Sequence, residues 1–335
     1  MRSLLSDCRS LVTGATGFLG KHLVKSLINK GHKVTVLARK SSNLEPFNNL
    51  DINVKYGDIT DRLALLQATE DQDFVYHLAG FIAYKKADRK MMDKINVDGT
   101  ANVIDACITN KIKKLLHLSS VVTIGANPQP VPFNEDSKFN LEKFNLGYFE
   151  TKREAERLIK TAVKNDNLNA YMINPSTIYG AGDATKGSRK TQLKVAKGQF
   201  KFYPPGGVNV VYVDDVINAI HLCLDKGQPG RRYIIGGDNI TIKELFEIIA
   251  EEAGVPAPSL PIPKFIMGAL GSFGDLLRRF GKETSLSSET AITASYYHWF
   301  DNSRSIKELG ITPTQSRTAI KESVSWMKEN GLLDH

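Results

Sequence analysis

Cysteine is scarce in this chain: three in 335 residues, at positions 8, 107 and 223, far apart and without close histidine or cysteine neighbours. That spacing excludes a disulfide framework and paired-cysteine zinc sites, and it predicts reduced structural thiols and no metal centre. An unbroken apolar run is also missing. The longest loosely apolar stretch, IPKFIMGALGSFGDLLRRFG (262–281), is interrupted by Lys264, Asp275 and glycines, and so falls short of the about 20 apolar residues of a membrane span. The opening MRSLLSDCRS is too short and polar for a secretory signal, which leaves a cytoplasmic location as the expectation. Neither internal repeats nor low-complexity tracts occur. Basic residues outnumber acidic ones, 44 to 36, for a net charge of +8. They are scattered, with no long run or aromatic interleaving, so the excess suits a small anionic ligand and not nucleic acid.

What is present is rhythm. Short runs rich in Val, Ile and Leu (SLVTG, KVTVLAR, INVKYG, DFVYHLAG, KLLHLSS and NAYMINPS) alternate with helical patterns through the first half. Strand, helix, strand in regular succession implies parallel strands joined by right-handed crossovers, hence an α/β fold with a doubly wound parallel sheet. GFLGKHLVKSLINKG and NVDGTANVIDACITN read as helices, the second with positions 97, 101, 103, 104 and 108 on or near one face. Beyond about residue 176 the rhythm breaks into Gly/Pro-rich loops, with later helices near 241–253, 263–280 and 315–329. This predicts a dinucleotide-type domain over 1–176, rejoined by parts of 208–236, and a smaller, partly interleaved substrate lobe over 177–335.

Gly14, Gly17 and Gly20 in LVTGATGFLGKHLV stand between the first strand and its helix. Gly14 permits the tight turn, Gly17 lets phosphates approach the backbone, and Gly20 lets the helix pack on the strand, so the loop is read as a pyrophosphate site. The second strand ends in TVLARK. Where a carboxylate would greet an unmodified ribose, this chain offers Arg39 and Lys40, which would pair with a 2′-phosphate; NADP(H) is favoured, with NAD(H) as the alternative.

LGYFETKREAERLI carries Tyr148 and Lys152 four residues apart, on one face of a helix. A phenol with a pKa near 10 exchanges protons poorly at neutral pH unless its phenolate is stabilised. An ammonium about 4 Å away is worth roughly 4 kcal/mol at an effective dielectric near 20, or about three pKa units, before desolvation opposes it. HLSSVV ends a strand with Ser119 and Ser120 at the carboxyl edge of the sheet, where a hydroxyl can bind the carbonyl that Tyr148 protonates. His77 and His117 read as core histidines, and Asp214 and Asp215 as capping residues of a helix.

TGATGFLG, GDITD, HLAG, NVDGT, SSVVTIG, YFETK and NPSTIYG, in this order, closely resemble the extended short-chain dehydrogenase/reductase superfamily, or NAD-dependent epimerase/dehydratase family. The likeness continues through VNVVYVDDV and DNSRSIKELG. It is greatest to the dihydroflavonol reductase-like and hydroxysteroid dehydrogenase-like branch, including bacterial hopanoid-associated epimerase-like proteins. The resemblance implies that Ser120, Tyr148 and Lys152 are catalytic. It also implies that the backbone from Gly14 through Thr16, Gly17, Phe18 and Leu19 holds the pyrophosphate, that Asp58 and Ile59 meet the adenine, and that Ala79 and Gly80 lie along the ribose. Tyr148 and Lys152 would touch the cofactor as well, Pro175 would wall the nicotinamide, and Asn96 would be a supporting hydrogen-bonding residue. Relatives are commonly homodimers, here expected through helices near 90–110 and 147–163.

Three functions fit such a chain: a ketone/alcohol oxidoreductase acting on a small, fairly apolar molecule, a nucleotide-sugar epimerase with tightly held cofactor, and a non-catalytic dinucleotide sensor. The intact Ser120, Tyr148 and Lys152 disfavour the sensor. Sugar-nucleotide members typically carry an arginine before the VVYVDD segment, where this chain has Val208, and another in the stretch that here reads MINPSTIYG. Lys186, Arg189 or Arg304 would have to substitute. Dehydratases need an acid after the serine position, where Val121 and Val122 stand. Residues 262–281 place Phe265, Met267, Leu270, Phe273, Leu276 and Leu277 among cations, so a peripheral membrane contact is weighed beside the more ordinary core-facing role.

Overall fold

A computed structural model describes residues 8–84, 86–182, 189–280 and 287–334. Six strands, β1 (Arg9–Thr13), β2 (Lys33–Ala38), β3 (Ile52–Tyr56), β4 (Phe74–His77), β5 (Lys114–Leu118) and β6 (Ala170–Pro175), fall on the six apolar runs. With the short strand Ile234–Ile235 they form one sheet in the order Ile234–Ile235, β6, β5, β4, β1, β2, β3, every pair parallel. The strands read as near-continuous hydrophobic stretches because helices cover both faces. Leu19, Leu23 and Leu27 of helix α1 (Phe18–Asn29) and Val216 and Ile220 of the helix Val213–Lys226 close one face; Val103, Ile104, Ile159 and Ala162 close the other. The connections leave β1 in opposite directions toward β2 and β4. This switch point opens a crevice at the carboxyl ends of the strands, and the glycine loop lies there.

Helix α1 stops at Asn29, and Gly31 just past it turns the chain in the left-handed region at φ 83°. The helix Gly99–Thr109 departs from its reading: Val103 and Ile104 are buried, but Ile108 is 39% exposed and Thr100, Ala106 and Cys107 fill the inner face. A wide π turn over Asp93–Asp98 precedes it, and the extra residue in that turn shifts the phase of the helical pattern.

The second half forms a smaller sheet from Thr177–Tyr179, Gly207–Tyr212, Asp238–Thr241 and Tyr297–His298, and a two-stranded ribbon pairs Phe202–Tyr203 with Leu260–Pro261. Leu245, Phe246, Ile249, Ile320 and Val324, from the helices Ile242–Ala253 and Ser316–Glu329, fill its core. Asp214 and Asp215 are not caps. The N-cap of their helix is Tyr212, with no side-chain bond; Asp215 instead accepts from the Thr314 N–H and hydroxyl at 2.7 and 2.9 Å, and Asp214 faces His22 at 3.7 Å. Both still sit in the first turn, where the helix dipole favours negative charge. Among the described residues no helix is long and apolar enough to cross a membrane.

Candidate active site

The glycine loop fits a phosphate-bearing ligand. Gly14 has φ +71°, and a Cβ there would lie 2.6 Å from the Ala79 nitrogen; a Cβ on Gly20 would lie 2.3 Å from the Gly14 carbonyl oxygen. These contacts bring the turn, the end of β4 and α1 together more closely than any side chain permits. The N-cap of α1 is Gly17, without a side-chain cap and with no acidic residue in the first turn, so Phe18 and Leu19 begin a helix whose N–H groups are left to an outside acceptor. Thr16 sits in the loop between them.

Around this loop, Arg39 and Lys40 lie exposed just past β2. Asp58 turns its carboxylate back on the Thr60 N–H and hydroxyl at 2.9 and 2.8 Å, while Ile59 is buried against Gly99. Ala79 and Gly80 follow β4, with Gly80 beside the Asn96 amide oxygen. Asn96 is buried and binds Phe81 through both its N–H (2.7 Å) and its carbonyl (2.9 Å), and donates to the Thr151 hydroxyl at 3.1 Å. It ties the loop after β4 to the helix Gly147–Asn165, which is a structural role. Pro175 ends β6, and beside it the Ser176 hydroxyl is buried with no hydrogen-bond partner among the described residues.

Ser120, Tyr148 and Lys152 converge at the carboxyl end of β5. Ser120 caps the short turn Val121–Thr123, its hydroxyl accepting from the Val122 N–H at 3.3 Å, and it lies near enough to the Tyr148 phenol to hold its pKa down. Tyr148 is buried among Ala83, Phe139, Leu146 and Phe149. Lys152, one turn further along, is 6% exposed and donates to the Leu118 carbonyl at 2.6 Å. Burial holds the Lys152 ammonium down at about 8, with Glu156 opposing. Burial also raises the Tyr148 phenol above its usual range, helped by the neighbouring phenol of Tyr84 and opposed by Ser120. The expectation that lysine would lower it is thus not met in the protein alone: desolvation wins, and the ammonium points at a carbonyl.

The sequence reading missed the residue that holds these elements together. Glu156, 1% exposed, accepts from Ser119 Oγ at 2.5 Å, Thr123 Oγ1 at 2.8 Å and Asn174 Nδ2 at 2.6 Å through one oxygen, and from Arg232 Nε at 2.6 Å through the other. One carboxylate joins the end of β5, the turn after it, β6 and the approach to Ile234–Ile235. Tyr84, whose phenol neighbours that of Tyr148, and Glu289, which acts on Tyr84, had no signal in sequence either. His77 and His117 are core residues as expected. His77 bonds Thr13 and Thr100 at 2.8 and 3.1 Å, and burial lowers it to about 3, so it is neutral. Of the cations offered as substitutes near Val208, Arg304 is engaged by Asp136 and lies 3.8 Å from Glu135; Lys186 and the side chain of Arg189 lie outside the described residues.

Comparison with known proteins agrees with this geometry. Residues 10–236 match the profile described as NAD dependent epimerase/dehydratase family. The chain is 32% identical over 97% of its length to "Sterol demethylase protein B" of Methylococcus capsulatus, covering 99% of that protein. It is 29% identical over 91% of its length to a "3 beta-hydroxysteroid dehydrogenase/Delta 5-->4-isomerase" of Mycobacterium tuberculosis, covering 86% of it. The crystal structure of gox2253 superposes with a TM-score of 0.87 at 30% identity, covering 98% of this chain and 100% of that one.

Proposed function

The chain belongs to the NAD-dependent epimerase/dehydratase family, whose members are NAD(P)-dependent enzymes, and we propose that it is an NADP(H)-dependent oxidoreductase interconverting a ketone and a secondary alcohol. The observation that carries this reading is the convergence at the carboxyl end of β5 of Ser120, in the turn that follows it, with Tyr148 and Lys152, one turn apart on their helix, the Lys152 ammonium on the Leu118 carbonyl. A small, fairly apolar substrate is supported by the sterol and hydroxysteroid names of two relatives. Val208 sits in its ladder between Ile240 and His298, and Arg304 is already paired, which weakens the nucleotide-sugar alternative.

Gly14 to Leu19 would hold the pyrophosphate, with Asp58 and Ile59 at the adenine, Ala79 and Gly80 at the ribose, and Pro175 at the nicotinamide. A bound nicotinamide would supply or accept the hydride. Ser120 orients the substrate oxygen and donates to it as negative charge builds. Tyr148 delivers or removes the proton at that oxygen, and the Lys152 charge favours the phenolate this requires. The same reading makes the protein a cytoplasmic homodimer through 90–110 and 147–163, a surface on which Met91 is 50% and Ile108 39% exposed. Purified protein should oxidise NADPH with a panel of apolar ketones and hold no cofactor after gel filtration; retained NAD and turnover of nucleotide sugars would favour an epimerase instead.

Two further outcomes follow. Arg39→Asp removes a charge-assisted bond and adds repulsion, so NADPH should bind roughly 10- to 100-fold more weakly while NADH is little changed; equal losses by fluorescence titration would refute the 2′-phosphate role. Turnover should fall as pH rises through about 8, where Lys152 loses its proton. Stability moves the other way for this group: its folded pKa lies below the unfolded value of about 10.4, so its burial penalty is relieved between about pH 8 and 10. A pH–rate profile and a melting curve over the same range separate lost charge from lost fold.

A further inference from the structure

The helix Lys264–Arg279 is built inside out. Its inner face is glycine and one methionine: Met267 is 6% exposed, and a Cβ on Gly271 would stand 2.9 Å from both Ala291 Cβ and Ser288 Cα, so the helix Ser288–Ser295 rests directly on its backbone. Asp275 fixes the contact, accepting from the Ser288 hydroxyl at 2.6 Å and its N–H at 3.2 Å. The large side chains point away. Phe265, Phe273, Leu276 and, just past the helix, Phe280 are 83%, 56%, 47% and 75% exposed, at a spacing that forms one stripe. This corrects the face read from sequence, since Met267 turns inward and Leu270 and Leu277 are half-buried. The chain enters this helix from the ribbon where Leu260 and Phe202 are register partners, hence on one face, each about half exposed at 49% and 50%.

Charge identifies the occupant. In sequence the segment 256–280 carries Lys264, Arg278 and Arg279 against a single acid, Asp275, and Lys201 precedes Phe202 in the ribbon; the acid is spent on Ser288, while the Lys264 ammonium meets only a carbonyl, that of Pro128, and the Tyr296 ring, and keeps its charge uncompensated. A protein of 44 basic and 36 acidic residues thus concentrates its imbalance where its large apolar side chains are most exposed. Exposed aromatic and leucine side chains on a segment of basic sequence match an anionic lipid surface, where rings enter the headgroup region and cations meet phosphates. A second copy of the same surface would bring like charges together.

We propose that residues 260–280, with Phe202, dock this enzyme on anionic membranes. This goes beyond the assigned chemistry and does not depend on it. The test is co-sedimentation of the full chain with vesicles of phosphatidylcholine alone or with 30% phosphatidylglycerol. Binding should be about tenfold or more stronger on the anionic vesicles, fall with added salt, and drop by a similar factor in F265D/F273D, since both side chains are exposed and neither belongs to the cluster around Tyr148. Circular dichroism and ketone turnover in solution should be unchanged in that variant. Equal binding of wild type and variant would overturn the proposal. So would a change in oligomeric mass by light scattering on introducing F265D/F273D, which would assign the face to a second copy of the chain.

Discussion

Tyr148→Phe should lower kcat by roughly 10²- to 10⁴-fold, the usual worth of a positioned proton donor. The ring stays in its apolar cluster of Ala83, Phe139, Leu146 and Phe149, so only an oxygen is lost and the fold keeps its packing. KM for ketone and the dissociation constant for NADPH should move by a few-fold at most. The loss should not be rescued at higher pH, because no titrating group remains at that position. Tyr84→Phe is the informative control: its phenol is the other one near the site, and a large loss there with activity kept in Tyr148→Phe would transfer the proton-donor role to Tyr84.

Glu156→Ala should be the most destabilising single change near the site. It leaves the Arg232 guanidinium, the Asn174 amide and the Ser119 and Thr123 hydroxyls without their shared acceptor. Removing one partner of a buried, hydrogen-bonded ion pair costs about 3–5 kcal/mol. At about 2.1 cal/mol/K of unfolding entropy per residue, that lowers Tm by roughly 4–7 °C for a chain of this length. Glu156→Gln keeps the shape and one acceptor oxygen, and should lose less. Since the carboxylate also supports the charge of Lys152, Glu156→Gln should move the alkaline limb of the pH–rate profile to lower pH; an unmoved limb with a lowered Tm would confine Glu156 to a structural role. Calorimetry beside the pH profile distinguishes the two.

The parts of this protein that were legible in its sequence are those written in local periodicity or in backbone necessity. Six parallel strands announce themselves because a strand covered on both faces must be apolar throughout. Gly14 is legible because only glycine tolerates φ +71° hard against Ala79. Tyr148 and Lys152 are legible because four residues make one helical face. The missed features depend on contacts distant in sequence. Glu156 lies in the charged run KREAERLIK, which reads as a solvated face, and its burial is decided by partners 18 to 76 positions away. The π turn over Asp93–Asp98 rotates the following helix and exposes Ile108. Asp215 reads as a cap until Thr314 arrives from near the C-terminus. The raised Tyr148 pKa has the same origin, because desolvation is a property of the assembled cluster.

The central claim is net hydride transfer between NADP(H) and a carbonyl carbon, assisted by Tyr148. Its most direct test is to incubate the enzyme with an apolar ketone and NADPH deuterated at the nicotinamide C4, and then to examine the alcohol by mass spectrometry and NMR. The account predicts one deuterium at the carbinol carbon, a stoichiometric amount of NADP⁺, and neither product with Tyr148→Phe. No consumption of NADPH, with inversion of a nucleotide sugar by cofactor that co-purifies with the protein, would contradict it.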